Sequence, residues 1–234
     1  MDTVAIKNRV RLCIDEGAST NGASTNDYAD TSMDAVIENS IDSAIMWCAR
    51  QAPLELLMQS GSGFIKDATI GENANEGETN EGETEKPSTV TLTNGSTAEK
   101  PSTLTLPSDF LRIARLRRDQ WHKGITTPIS EDSDDYLMLR DETATASLNR
   151  PIAVYIAGSS PSLELWDGEV HNETTDVHFS YVTSDLTTIK NGKNFTEESQ
   201  LGQAVIYYAA FLTLLAYGDS RAQGMLEVAK SFLN

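Results

Sequence analysis

The densest chemistry in the sequence lies between residues 112 and 123, where Arg112, Arg115, Arg117, Arg118 and Lys123 crowd around Trp121 and His122. Guanidinium groups beside an indole suit three tasks. They can balance charge within one subunit. They can meet acidic loops of a protein partner, since Arg and Trp are favoured at interfaces. They can also touch phosphates. The surrounding chain is strongly acidic, with 35 Asp and Glu against 18 Lys and Arg and a formal charge of −17. That balance opposes sequence-reading of nucleic acid, which needs a basic footprint, and suits a surface past which DNA slides.

Other reactive residue types are sparse. The acidic run EDSDD at 131–135 offers oxygen ligands, but it lacks the glycine and distal glutamate of a calcium loop, and a solvated loop is the simpler reading. His171 and His178 could each meet a carboxylate, yet no spacing among His122, His171 and His178 marks a metal site. Cys13 and Cys48 sit on apolar helix faces, so packing in a reducing compartment is expected rather than a disulfide. The Gly-rich stretch at 61–63 has no Lys-Ser/Thr to reach a phosphate and reads as a turn. No nucleophile elbow, dinucleotide fingerprint or zinc-protease motif occurs, so neither enzyme activity nor a cofactor is expected. A glycosidase built from the many carboxylates would need two at a defined separation in a cleft, which composition does not supply.

Positioning these residues requires elements, and the chain signals several. Ile6, Val10, Cys13 and Ile14 follow helical spacing across residues 4–16. Residues 19–32 form a turn-rich linker. Met33, Val36, Ile37, Ser40, Ile41, Ala44, Ile45 and Cys48 then give the cleanest amphipathic helix, with Thr31 or Ser32 as its cap and Pro53 as its end. Between 61 and 107 large side chains nearly vanish, and EKPSTVTL at 85–92 recurs as EKPSTLTL at 99–106. Two Thr-rich strands around Asn94-Gly95 predict a β-hairpin, and the acidic stretch 71–85 predicts a mobile loop. Further strands are expected in FLRIARL, in RPIAVYIAG, in SLELW and in DVHFSYVT, with an acidic turn-like stretch at 131–145. Helical spacing returns from Leu201 to Leu212, breaks at Gly218-Asp219, and resumes through Met225, Val228, Ala229 and Phe232.

Apolar stripes at both ends must pair with something. The expected class is therefore α+β: a helical bundle from the N- and C-terminal helices, with an inserted β-rich region and a long hairpin/loop insertion. The corresponding domains are 1–60 with 196–234 for the bundle, 61–105 for the acidic loop and repeated hairpin, and 106–195 for the β-rich part. No apolar run resembles a secretory signal or approaches the roughly 20 residues of a membrane span, so no membrane partner is expected.

One resemblance gathers these pieces. Leu106, Pro107, Asp109, Phe110 and Arg112 match an LP-x-D-F-x-R entry; Arg150, Pro151 and Tyr155 match an RP-x-x-Y strand with one extra residue; Leu163, Glu164, Leu165 and Trp166 match an LELW strand. Together with the closing helices, covering residues 30–60 and 104–233, the chain resembles the short-tailed phage head-to-tail adaptors, the tail tubular protein A-like or portal-binding accessory ring proteins. The resemblance implies a structural virion protein in the tail or neck, assembled in the host cytoplasm. It implies a homo-oligomeric ring of twelve that binds the portal protein, meets downstream tail proteins, and extends the DNA channel. It brings no catalytic residue, metal or cofactor. The insertion at 61–105 exceeds what such a role needs, and no long extension follows Phe232, which leaves the portal contact open. An alternative is a carbohydrate-binding or adhesive β module of a phage tail, with Trp121, Trp166 and Tyr155 as a stacking platform; strong helices at both ends speak against it.

Overall fold

The computed structural model describes residues 2–15, 31–59, 63–71, 88–97, 100–141, 145–171, 177–192 and 195–234. The linker expected at 19–32, the loop at 71–85 and the turn at 61–63 fall wholly or largely outside the described residues. Two compact units divide the chain, one of Met1–Phe64 with Thr183–Asn234 and one of Ile65–Val182.

The first unit is helical: α1 (Thr3–Asp15), α2 (Thr31–Gln51), α3 (Leu54–Gln59), α5 (Leu186–Asn191), α6 (Gln200–Ala216) and α7 (Ala222–Ser231), with α4 belonging to the other unit. Ile37, Ile41, Ala44, Ile45 and Cys48 form one buried stripe of α2 at helical spacing. It packs on α6, whose Ala204, Ala209 and Ala210 are small enough to bring the two backbones close, and α1 adds Ile6 and Val10 against the same helix. A buried hydroxyl pair crosses the contact, with Thr213 Oγ1 donating to Ser40 Oγ at 3.2 Å. Ser199 caps α6 by accepting from the Gly202 amide at 3.0 Å. Gly218, at φ +69°, ends it: the Asp219 amide returns to the Leu214 carbonyl, a turn that favours glycine. The guanidinium of Arg221 then holds Asp219 and reaches the Ile14 carbonyl at 3.1 Å, tying the end of α1 to the α6–α7 corner.

The second unit is one mixed eight-stranded sheet. Its strands are β1 (Ile65–Gly71), β2 (Ser88–Thr93), β3 (Ser102–Thr105), β4 (Phe110–Arg118), β5 (Ile129–Ser130), β6 (Ile152–Ile156), β7 (Ser162–Trp166) and β8 (Val177–Thr183), in the order β4-β8-β1-β2-β3-β7-β6-β5. The β1–β2 and β5–β6 pairs are parallel, while β1–β8, β2–β3, β3–β7 and β6–β7 are antiparallel. Alternate residues Val90, Leu92, Leu104, Leu163, Leu165, Phe179 and Tyr181 share one core with Ile113, Leu116 and Trp121. At the β5 end the opposite face is covered too. There α4 (Asp134–Arg140) sets Tyr136 and Leu139 on Val154. That double cover explains why β6 reads as an unbroken apolar run rather than an alternation.

This architecture corrects the expected fold class. The second unit is a single eight-stranded mixed sheet, which a helical bundle carrying an inserted β-rich region and an appended hairpin does not describe. The Thr-rich pair is the centre of the sheet, because Val90, Leu92 and Leu104 are apolar enough to join the common core. Its connection is also longer than the Asn94-Gly95 turn alone, since β2 ends at Thr93 and β3 starts at Ser102. The stretch at 131–145, expected to be turn-like, contains α4, capped by Ser133 Oγ accepting from the Tyr136 amide and helped by Asp134 and Asp135 in the first turn.

Candidate interaction surface

The basic cluster divides between inside and outside. β4 is an edge strand on which Arg115 and Arg117 alternate outward, while Ile113, Leu116 and Arg118 are buried. Ile113 and Ala114 are both buried, so the alternation slips there and leaves Arg112 half-covered. Burial lowers the affinity of the Arg112 guanidinium for its proton relative to an exposed arginine. Leu116 and Ile125 exchange backbone hydrogen bonds that fold the following turn back along β4, and this turn carries His122 and Lys123 on its exposed side. Arg112, Arg115, Arg117 and Lys123 thus reach solvent at one sheet edge. Arg118 and Trp121 do not.

Those two meet at Asp167. The Arg118 side chain is 0% exposed and Asp167 is 4% exposed. Asp167 Oδ2 accepts from Trp121 Nε1 at 2.7 Å and from Arg118 at 3.4 Å, and His171 Nε2 lies 2.8 Å away. The other amino group of Arg118 donates to Asn94 Oδ1 at 3.1 Å, which Ser102 Oγ also approaches at 3.4 Å. A buried carboxylate serving several donors braces the β2–β3 connection against the end of β4 and the segment after β7. Its role is positioning within the fold. The sequence groups Arg118 and Trp121 with the other basic residues and leaves charge balance within one subunit open; their acceptor, Asp167, gives no local signal, being 49 and 46 residues away.

The motif residues behind the resemblance have equally definite places. Pro107 opens a turn closed by the Phe110 amide on its carbonyl. Asp109 accepts from Lys66 Nζ at 3.0 Å and Tyr181 Oη at 2.9 Å, fastening the start of β4 to β1 and β8. Phe110 lies against Phe179 and Tyr181, with ring centroids 6.2 and 6.0 Å apart. Arg150 and Ser147 exchange backbone hydrogen bonds in the turn before Pro151 and β6. Tyr155 pairs with Leu163 in register and packs on the main core, to which Leu165 also belongs. Trp166 Nε1 and Tyr136 Oη both donate to Glu164 Oε2, at 3.2 and 3.0 Å. Burial first, and then Glu164, raises the Tyr136 phenol above its ordinary value.

Both histidines singled out in the sequence do meet carboxylates, His171 inside at Asp167 and His178 on the surface at Asp119, 2.9 Å away. The surface pair contributes little to stability. In the run at 131–135, Ser133 caps α4 and Glu131 accepts from the Ala157 amide. Burial pushes the Cys48 thiol up, away from reactivity. Among the described residues no group of three or more His, Cys, Asp and Glu could hold a metal ion, and no helix is long and apolar enough to cross a membrane.

The sequence model of the SU10 adaptor protein family matches residues 6–231, almost the whole chain. The chain belongs to that family, and its role is that of a phage adaptor. No curated protein matches the sequence.

Proposed function

We propose that the protein is a structural subunit of a closed head-to-tail connector ring in the virion neck, binding below the portal and extending the DNA channel towards the tail. The observation that carries this reading is the family match across 6–231, which takes in both compact units. A ring of twelve is the copy number the resemblance implies. Head-to-tail contacts that close generate such a ring, and the formal charge of −17 suits a wall that genomic DNA passes without being held. Arg112, Arg115, Arg117 and Lys123 at the β4 edge are the residues assigned to acidic loops of a neighbour or of the portal. Arg118 and Trp121 support that edge from within. The burial of Trp121, 1% exposed, also removes it from a stacking platform with Trp166 and Tyr155, so the adhesive-module reading has no shared aromatic face here.

Co-sedimentation with the portal of the same phage tests the reading. Wild type travels with the portal as a stoichiometric ring, and Arg115→Glu with Arg117→Glu weakens that association about tenfold or more at moderate salt, as for other close charge pairs. A chain that never travels with the portal, or a double variant that binds as wild type does, contradicts the ring or the charged edge respectively.

A further inference from the structure

We infer that a groove on the helical unit receives α4 of a neighbouring copy, so that each subunit carries both halves of a head-to-tail contact. The inference rests on the ring reading and says which surfaces close it.

The groove is about 530 Å³ and is walled by Met46, Trp47 and Arg50 of α2, Leu186 of α5, and Tyr208 and Leu212 of α6. Its floor is preformed, for Trp47 and Tyr208 stack with centroids 4.1 Å apart and planes 7° from parallel. α6 carries no charged residue from Gln200 to Ala216, as a helix covered on all sides would. Yet the surface beside the groove stays open: Leu215 is 56% exposed and Tyr208, Phe211 and Leu212 are only half-buried. An apolar helix face of this kind marks a docking surface.

Charge and shape select the occupant. Within the groove Asp42 is neutralised by Lys190 at 2.5 Å, and Arg50 is the exposed cation at its rim. The fitting partner is therefore a short apolar projection bearing carboxylates. In α4 the adjacent Leu137 and Met138 stand 54% and 50% exposed, one residue beyond Asp134 and Asp135 of the first turn. The helix is held rigidly by its Ser133 cap and by Tyr136 and Leu139 beneath it, so little ordering is lost on docking. A groove on one unit and a projection on the other make a heterologous contact, the kind that propagates and closes.

Sedimentation of wild type, two variants and their mixture tests this. Met46→Asp spoils the groove and Leu137→Asp/Met138→Asp spoils the projection, all at partly or fully exposed positions. Each variant alone should be monomeric where wild type associates, with self-association weakened about tenfold or more. Mixed one to one, the two should form a dimer and nothing larger, because one good groove and one good projection remain. That mixture also shows that both variants are folded. Association of either variant as wild type, or a mixture that stays monomeric, overturns the contact. Portal-bound rings that survive both variants overturn it while leaving the ring itself standing. Wild type that assembles neither alone nor with the portal removes both.

Discussion

Asp167 is the residue on which the sheet's polar interior turns, because Trp121, Arg118 and His171 converge on one of its oxygens. Removing one partner of a buried charged pair leaves the other uncompensated, so Asp167→Ala should cost about 3–5 kcal/mol. Urea unfolding of the variant against wild type measures this, and a loss below about 1 kcal/mol would mean the contact is not desolvated. A second residue-scale effect depends on pH. Hydrogen bonds from the Arg221 guanidinium, and then from its backbone amide, pull the Asp219 carboxyl down from 3.8 to about 2. A folded value below the unfolded one stabilises the protein above about pH 4, and this contribution is lost as pH falls towards about 2. Asp219→Asn should therefore flatten the acid limb of the stability profile over that window and leave its shape near neutrality unchanged; a parallel profile would contradict the assignment.

At the scale of elements, β2 and β3 are the informative pair. They sit between β1 and β7, and Leu104 is fully buried. Leu104→Ala should cost about 2–5 kcal/mol by cavity formation, a figure that thermal and urea unfolding both report. An appended hairpin would lose almost nothing. The sequence shows these two strands through their repeat and Thr alternation, but not their central place, since register with β7 and β1 is a long-range property. The helix over residues 33–48 is legible because its signal is local: Ile37, Ile41, Ala44, Ile45 and Cys48 recur at the helical period whatever lies opposite. α4 was legible in principle, as Ser133-Asp134-Asp135 is a cap followed by an acidic first turn, but seven residues give too short a period to outweigh the acidic composition. Among the described residues, β1 offers the small Ala68 and Ile70 to the sheet's core, and the partner of its Asp67, Ser180, lies 113 residues away. Within the candidate surface, the sequence offers Arg115, Arg117, Lys123 and Arg118 as one basic cluster, of which the fold leaves the first three exposed and buries Arg118. Only the fold supplies the buried carboxylate that does.

On the scale of the whole molecule, membership of the adaptor family, the cationic β4 edge and the apolar α2–α6 groove all concern surfaces that look outward. A strongly acidic subunit repels its own copies unless such surfaces are matched. Assembly should therefore be steered by charge and held by apolar contact: raising salt from about 0.05 to 0.5 M should slow ring formation more than it loosens a finished ring, which stopped-flow light scattering can follow. The most direct measurement is a cryo-electron microscopy reconstruction of the portal with this chain bound. The account predicts a closed ring of copies coaxial with the portal and an open central channel. Single copies scattered around the portal, or density that never closes about the axis, would contradict it.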